Sequence, residues 1–230
     1  IKPQFIINTA AYHKVDEIES NPSKAFLVNA LAQKNLATAA QKQNATIVFI
    51  STDYVFGNDI NRKKPYTETD SIAPVNSYGV TKVAGEQMTS IYAKRHFVVR
   101  TSGLFGVSQS TEKGDNFIER MISLSKVKNE LNIVGDQIIS PTYTKNFAQN
   151  LHSLLKTSKY GTYHMVSNGH CSWWQFTKEI FKLLKIETKC NQVNSNFFNT
   201  DAKRPTFSAL QNYKLDKINL NKMNNWKTNL

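Results

Sequence analysis

The sequence predicts an α/β fold built on a Rossmann-like, doubly wound parallel sheet. Three short apolar runs, at 5–7, 46–50 and 97–100, have the length and composition of buried strands. Two longer stretches of helical periodicity, at about 22–44 and 77–94, separate these runs. Strand, helix, strand, helix, strand in this order is typical of a parallel sheet with right-handed crossover connections.

The boundaries of these elements are marked by local signals. Pro22 follows Asn21 at the start of the first helix, where proline is favoured. The second strand ends in the polar run Ser51-Thr52-Asp53, and a polar loop containing Pro65 and Pro74 leads to the second helix. In such sheets ligands bind beyond the carboxyl ends of the strands, so this polar run is a candidate site.

Beyond Gly106 the periodicity weakens and predicts a smaller, mixed α/β lobe. The expected elements are helices near 117–128, 143–156 and 173–184, and strands near 131–134 and 161–166. The stretch from 191 to 229 is rich in Asn and has no clear period. We therefore expect a first domain at 1–106, rejoined by about 131–157, and a second lobe formed mainly by 107–230.

The composition argues against a nucleic-acid or membrane partner. The 230 residues carry 29 Lys and Arg against 17 Asp and Glu, a formal net charge of +12, which would attract polyanions. Only five of these basic residues are Arg, the side chain that contacts base edges, and the Lys residues are spread along the chain. No apolar run approaches the roughly 18 residues of a membrane span.

The cysteines and histidines predict neither a disulfide framework nor a metal site. Cys171 and Cys190 are isolated, which favours a reducing, cytoplasmic location. The five histidines have none of the spacings typical of zinc sites.

The candidate for chemistry is Tyr78-x-x-x-Lys82 on the second helix. Residues four apart share a helix face, so we expect the Lys82 ammonium to lie beside the Tyr78 phenol and to lower its pKa from about 10. Tyr78 would then exchange a proton with an alcohol or carbonyl near neutrality. The spacing alone fits an exposed helical pair equally well, and Tyr213-x-x-x-Lys217 repeats it. Only the first pair follows a strand that ends in the hydroxyls of Ser51-Thr52.

Several blocks of the sequence, taken in order, resemble one enzyme family. Ser51-Thr52-Asp53-Tyr54-Val55-Phe56-Gly57 and Tyr78-Gly79-x-Thr81-Lys82-x-x-Gly85-Glu86 are specific as a pair. They are similar to the extended short-chain dehydrogenase/reductases and, within them, to the dTDP-4-dehydrorhamnose reductase family. The resemblance covers nearly the whole chain through these further blocks: Asn8-Thr9-Ala10-Ala11-Tyr12, Arg100-Thr101-Ser102, Gly114-x-Asn116-Phe117, Asp136-Gln137, Ser140-Pro141-Thr142, Gly161-Thr162-Tyr163-His164, Ser172-Trp173 and Arg204-Pro205.

The resemblance implies a reaction, in which NADPH or NADH reduces the 4-keto group of dTDP-4-dehydro-6-deoxy-L-mannose. The product, dTDP-L-rhamnose, is a precursor of cell-surface polysaccharide. Residues 1–106 would then be the NAD(P)-binding domain and 107–230 mainly the substrate-binding lobe. Tyr78 is implied as the proton donor, Lys82 as the group that lowers its pKa and holds the nicotinamide ribose, and Thr52 as a hydrogen-bond partner of the carbonyl.

The resemblance also implies contacts to the cofactor and the dTDP-sugar. The implied cofactor contacts are Ala11, Tyr12, His13, Tyr78 and Lys82, and the implied substrate contacts are Thr52, Asp53, Asn116 and Arg204. Arg204 is equally compatible with a surface cation. Asn29 resembles a family Asn that supports the site, but it also fits an Asn that faces the core of its helix.

Three positions depart from the family pattern. Gly103 stands where the family commonly has Trp, His13 replaces a small hydroxyl residue, and Ile139 replaces a Gly before Ser140-Pro141. None of the nine glycines forms a phosphate-binding turn after a strand, so we expect the chain to lack the N-terminal phosphate-binding segment. The coenzyme preference stays open, as does a homodimer.

Two other functions fit the same residues. The first is another sugar-nucleotide reductase or epimerase of the superfamily, which Gly103 favours. The second is a non-catalytic binding subunit similar to the regulatory subunit of methionine adenosyltransferase, which keeps the fold and the Tyr/Lys pair.

Overall fold

The computed structural model describes residues 1–107 and 116–230. Its strands are β1 (Phe5–Asn8), β2 (Thr46–Thr52), β3 (His96–Thr101), β4 (Leu104–Phe105), β5 (Glu130–Val134), β6 (Ile138–Ile139), β7 (Thr142–Tyr143), β8 (Gly161–His164), β9 (Cys171–Ser172) and β10 (Lys189–Val193). Its α-helices are α1 (Val15–Ser20), α2 (Pro22–Phe26), α3 (Ala32–Lys42), α4 (Ser77–Tyr92), α5 (Phe117–Ser125), α6 (Thr144–Leu155), α7 (Trp173–Leu184) and α8 (Tyr213–Lys217). The largest sheet is parallel, with the order β1-β2-β3-β8, which confirms the predicted fold class.

Strand β1 lies at the edge of this sheet and is less buried than its sequence predicts. Its neighbour is β2, and its side chains Phe5 and Ile7 are 40% and 47% exposed. Only Asn8, at the carboxyl end, is buried, and it donates a hydrogen bond to the Gln33 side chain over 2.7 Å. The strand is therefore found as predicted, whereas its side chains are not buried, because no strand of the described residues pairs with the outer edge of β1.

Helix α4 positions the Tyr78 and Lys82 side chains at the carboxyl end of β2. Asn76 caps the helix by accepting a hydrogen bond from the Gly79 N–H at 2.8 Å. Gly79 allows the close approach that follows, since a Cβ at this position would overlap the carbonyl oxygen of Tyr54. The first turn of α4 therefore packs directly on the segment that leaves β2.

The second half of the chain contributes to both parts of the fold. Helix α6 packs on the large sheet, where Leu151 and Leu154 share a core with Val48, Phe97 and Val99. Strand β5 lies outside that sheet and pairs in parallel with β10. Within 131–157, the range expected to rejoin the first domain, the helix thus packs on the large sheet and the strand does not. The fourth strand of the large sheet comes from β8.

The Asn-rich stretch after 191 is ordered by contacts with distant parts of the chain. It continues β10, whose polar sequence carries no strand signal and whose pairing with β5 decides the conformation. Leu215 on α8 is fully buried in the core beneath the large sheet. Tyr66 and Leu210 form a β-bridge, so the stretch also covers the loop that follows β2.

Candidate active site

A cavity of about 1170 Å³ lies at the carboxyl ends of β1, β2 and β3, between the large sheet and the second half of the chain. Eight of the nine side chains proposed from the sequence line it: Ala11, His13, Thr52, Asp53, Tyr78, Lys82, Asn116 and Arg204. Tyr12 is not among the lining residues of the described chain. Its hydroxyl donates to Glu17 over 2.8 Å, and the Lys24 ammonium lies 4.7 Å from the centre of its ring.

The environment of Tyr78 differs from the one predicted. The ring of Tyr78 packs edge to face against Tyr54, with the ring centres 5.8 Å apart. Burial raises the pKa of Tyr78, an interaction with the Thr52 hydroxyl opposes the rise, and the nearby Asp53 carboxylate adds to it. The expectation of a lowered pKa for Tyr78 is therefore wrong, because desolvation outweighs any effect of the Lys82 ammonium.

Lys82 is buried beneath the cavity, with 2% of its surface exposed. Its ammonium donates a hydrogen bond to the Ile50 carbonyl oxygen over 2.7 Å and lies 4.0 Å from the centre of the Phe49 ring. Burial lowers the pKa of Lys82 to about 7, and the Glu86 carboxylate opposes this effect. The ammonium is thus close to its titration point at neutral pH.

A buried ion pair lies one helical turn beyond Lys82. Glu86 accepts two hydrogen bonds from Arg100, Nε to Oε1 at 2.9 Å and Nη2 to Oε2 at 2.7 Å, and a third from the Ser51 hydroxyl. His164 lies 3.4 Å from Arg100 Nη1, and burial together with that guanidinium lowers the pKa of His164 to about 3. Glu86 and Arg100 lie in blocks that carry the family resemblance, but the sequence predicted no role for them. One lies on α4 and the other on β3, so no local sequence pattern indicates that they pair.

Asn29 connects the loop after β1 to helix α4. Its side-chain oxygen accepts from the Tyr12 N–H at 2.8 Å, and its amide donates to the Tyr12 carbonyl and to the Thr81 hydroxyl, each at 2.9 Å. Asn29 is fully buried, in the π-helical turn Leu27–Leu31. The two sequence interpretations therefore both hold, since a core residue fixes the loop that lines the cavity.

Arg204 reaches the rim of the cavity as part of an ion pair. Its Nη2 and Nη1 lie 2.7 Å and 3.2 Å from the two carboxylate oxygens of Asp16, and Nη1 also donates to the Ala202 carbonyl. The pKa of Arg204 is raised, because these partners outweigh the effect of its burial. It is thus a positioned cation at the rim.

The second half of the chain forms the opposite wall of the cavity. Asn116 caps α5 by accepting from the Glu119 N–H, and its amide donates to the Gly106 carbonyl over 2.9 Å, so its polar atoms already bind backbone. Phe117 and Trp173 line the cavity and pack against each other, with ring centres 4.5 Å apart and ring planes tilted by 41°. Arg120, which is exposed and was not predicted, also lines it.

Two of the departures from the family pattern are neighbours in space. Gly103 has φ of +50°, and a Cβ built on it would lie 2.9 Å from Cδ1 of Ile139. Both residues line the cavity. Ile139 thus occupies space that a side chain at position 103 would need, which no spacing in the sequence reveals. Gly114, quoted for the resemblance, lies outside the described residues.

Neither a metal cluster nor a membrane helix is found in the described part of the chain. No three or more His, Cys, Asp or Glu side chains at 1–107 and 116–230 are arranged to hold a metal ion. Over the same residues, every helix is too short or too polar to cross a membrane. Cys171 and Cys190 are both free thiols, and burial raises the pKa of Cys171 to about 12.

A parallel sheet, with a Tyr-x-x-x-Lys helix and a hydroxyl at the end of the neighbouring strand, defines an extended short-chain dehydrogenase/reductase fold. Among solved structures, one of dTDP-4-dehydrorhamnose reductase from Bacillus anthracis in complex with NADP superimposes with a TM-score of 0.93. It is 39% identical, over 99% of this chain and 79% of that chain. The chain belongs to the family described as the RmlD substrate binding domain, whose model matches residues 1–230.

Curated relatives carry two related names. dTDP-4-dehydrorhamnose reductase of Escherichia coli is 35% identical over 94% of this chain and 74% of its own length. dTDP-4-keto-6-deoxy-D-glucose reductase of Streptomyces niveus is 31% identical over 100% of this chain and 78% of its own length. The relatives thus share a keto sugar nucleotide as substrate and differ in the sugar named.

Proposed function

We propose that this protein catalyses the NADPH-dependent reduction of dTDP-4-dehydro-6-deoxy-L-mannose to dTDP-L-rhamnose, a step in polysaccharide biosynthesis. The observation that carries the proposal is the convergence of Tyr78, Thr52 and Lys82 on one cavity at the end of the parallel sheet. The names of the relatives and the NADP complex support the substrate class and the coenzyme. Residues 1–106 serve mainly the coenzyme and 107–230 mainly the sugar nucleotide.

The residues of the cavity fit a nicotinamide nucleotide. Lys82 has three N–H donors, and its position on the cavity floor leaves donors for a ribose hydroxyl beside the bond to Ile50. Ala11 and His13 line the adjacent wall, on the loop that Asn29 holds. When bound, the reduced nicotinamide supplies the hydride, and the protein supplies orientation and the proton.

Each polar group of the site has a role in this reaction. Tyr78 donates its proton to the substrate oxygen as that oxygen gains charge, and the Lys82 ammonium stabilises the phenolate that is left. Thr52 hydrogen-bonds the same oxygen. Arg204, held by Asp16 at the rim, is placed to meet a diphosphate, a group that a planar guanidinium binds well.

Tyr78→Phe tests the catalytic assignment. Only the phenolic proton is lost, so we expect turnover to fall by about 10²- to 10⁴-fold while substrate binding is retained. Tyr213→Phe is the matched control, because Tyr213 is followed four residues later by Lys217 but does not line the cavity. Unchanged turnover in Tyr78→Phe would refute the assignment.

The sugar is tested by product analysis with a set of dTDP-linked 4-keto sugars. The set must include dTDP-4-keto-6-deoxy-D-glucose, because the Streptomyces niveus relative is named as a reductase of that sugar nucleotide. We expect the higher kcat/KM with dTDP-4-dehydro-6-deoxy-L-mannose. A preference for the other sugar would show that the protein is a reductase of dTDP-4-keto-6-deoxy-D-glucose. It would leave the proposed roles of Tyr78 and Lys82 unchanged.

A further inference from the structure

The hydroxyl of Thr52 takes part in a hydrogen-bonded chain that its proposed contact with substrate does not require. It accepts a hydrogen bond from the Tyr54 N–H at 3.2 Å and donates one to Asp53 Oδ1 at 3.1 Å. A threonine hydroxyl has one proton and two lone pairs. Its hydroxyl also interacts with Tyr78. With Asp53 ionised, the proton of Thr52 is therefore engaged and Thr52 cannot donate to a keto oxygen.

The burial of Asp53 favours protonation of its carboxyl group. The carboxyl group is 4% exposed, and its Oδ2 accepts from the hydroxyls of Ser102, at 2.8 Å, and Ser208. Burial raises the pKa of Asp53, and the hydroxyl groups act against this rise. Ser102, which follows β3, and Ser208, in the C-terminal segment, are both neutral partners, and the Thr52 hydroxyl bonds Oδ1.

The titratable groups that face this carboxyl group lie on two sides. Tyr54 follows it in the chain, and Tyr78 approaches from α4. The ion pair of Arg204 and Asp16 lies beyond Tyr54 and contributes charges of both signs. Within the described part of the chain, no cation bonds Asp53 directly and holds it ionised.

We propose that Asp53, Thr52 and Tyr78 form a proton relay that restores the Tyr78 phenol after each turnover. The proposal rests on the proposed function and adds a role that the reduction itself leaves open, the source of the replacement proton. With Asp53 protonated on Oδ1, its O–H donates to Thr52, and the Thr52 O–H turns toward the cavity and donates to the keto oxygen.

The proton balance of the relay closes over one cycle. During reduction the O–H bond of Tyr78 breaks and an O–H bond forms on the substrate oxygen, leaving a phenolate. The Thr52 proton then moves to the phenolate while the Asp53 proton moves to Thr52, so Tyr78 and Thr52 are restored and Asp53 becomes a carboxylate. One proton taken up from bulk solvent, the proton that the net reduction consumes, returns Asp53 to its starting state.

The protonated form of Asp53 suits the keto substrate, and the ionised form suits the alcohol product. A keto oxygen only accepts hydrogen bonds, and it meets Thr52 as a donor when Asp53 is protonated. The product alcohol also donates, and when Asp53 is ionised it donates to Thr52 in place of Tyr78. Substrate and product are thus each complementary to the form of Asp53 present at that stage.

Asp53→Asn separates a relay from a structural role. The Asn oxygen still accepts from Ser102 and Ser208, and its amide donates to Thr52 as the protonated acid does, but it has no proton to transfer. In the full-length gene product we expect hydride transfer to persist in a single turnover. The nicotinamide absorbance, recorded in a stopped-flow instrument, measures this transfer. Steady-state kcat should fall on the order of 10²-fold. An unchanged steady-state kcat, or an equal loss in the single turnover, would overturn the relay.

The pH profile gives a second readout. In the wild type, kcat should fall as the pH rises through the pKa of Asp53, and this limb should be absent in Asp53→Asn. Ser208→Ala removes a hydrogen bond that stabilises the carboxylate, so it should shift the limb to higher pH. Thr52→Ser should keep the limb and Thr52→Val should remove it; a limb that none of these changes affects would contradict the proposal.

A spectroscopic test is independent of the sugar. Infrared difference spectra of the wild type against Asp53→Asn should contain the carbonyl stretch of a protonated carboxyl group that disappears as the pH rises. Its absence throughout the neutral pH range would refute the relay whatever substrate is turned over. Its presence in a protein that does not reduce the dTDP-linked sugar would refute the proposed function and leave the protonation of Asp53 established.

Discussion

Replacing Lys82 by Met tests whether the site holds a buried ammonium at the expense of stability. Lys82 is 2% exposed, and its charge is offset only in part by Glu86, which is already bonded to Arg100. Met has a similar length and no charge. We therefore expect Lys82→Met to abolish turnover and to raise the free energy of unfolding at and below neutral pH.

The size of this effect follows from the pKa of Lys82. The pKa falls from its ordinary value of 10.5 to about 7, and each pKa unit corresponds to about 1.36 kcal/mol, so the charged form costs about 5 kcal/mol on folding. Met loses the hydrogen bond to Ile50 and the contact of the ammonium with the Phe49 ring, each worth about 1 kcal/mol. The expected net gain is about 3 kcal/mol.

The gain must depend on pH with a definite sign. Between pH 7 and 10.5 the unfolded chain binds a proton on Lys82 that the folded chain releases, so the free energy of unfolding of the wild type rises with pH. The advantage of Lys82→Met is therefore largest below pH 7 and shrinks as the pH approaches 10.5. Urea denaturation of both proteins at several pH values measures it.

Two results would refute this reasoning. One is a Lys82→Met protein that is less stable than the wild type at pH 6, since the ammonium would then be stabilising where it is buried. The other is a difference in stability that stays constant with pH, since the pKa of Lys82 would then be close to that of the unfolded chain.

Two further predictions concern the groups that support the site. Arg100→Met should lower the free energy of unfolding by about 3 kcal/mol, because Glu86 loses its bidentate partner. Adding Glu86→Gln should recover more than half of that loss. Urea denaturation measures both effects, and additive losses of the two substitutions would contradict this prediction. Asn29→Ala should cost about 2 kcal/mol, because it removes two hydrogen bonds to the backbone of Tyr12 and one to the Thr81 hydroxyl. The exposed Asn35→Ala on α3 serves as the control, and equal effects of the two would exclude the proposed bracing of the loop.

Local sequence patterns were sufficient for the elements that carry the chemistry. The apolar runs predicted β2 and β3, and helical periodicity predicted α4, because side-chain period reports which face of an element is buried. The carboxyl ends of parallel strands meet at one edge, so Thr52 and Tyr78 were expected in one site. The same patterns failed at β10, whose polar residues form a strand through pairing with β5.

Family resemblance and local pattern together could not predict the electrostatics of the site. Spacing placed Lys82 near Tyr78 and predicted a lowered pKa for the phenol, whereas burial raises it. Desolvation depends on everything that covers a group, including segments far away in the chain.

The amino-acid sequence alone determined the fold class, the edge of the sheet that holds the site and the helix face that carries Tyr78 and Lys82. These follow from periodicity and strand order, which are properties of neighbouring residues. The tertiary structure decided the partners, such as Ser208 on Asp53 across 155 positions and Arg204 on Asp16 across 188. Such pairs form because the fold brings side chains from distant segments together and polar groups that lose water need hydrogen-bond partners, and no local pattern records which partner is near.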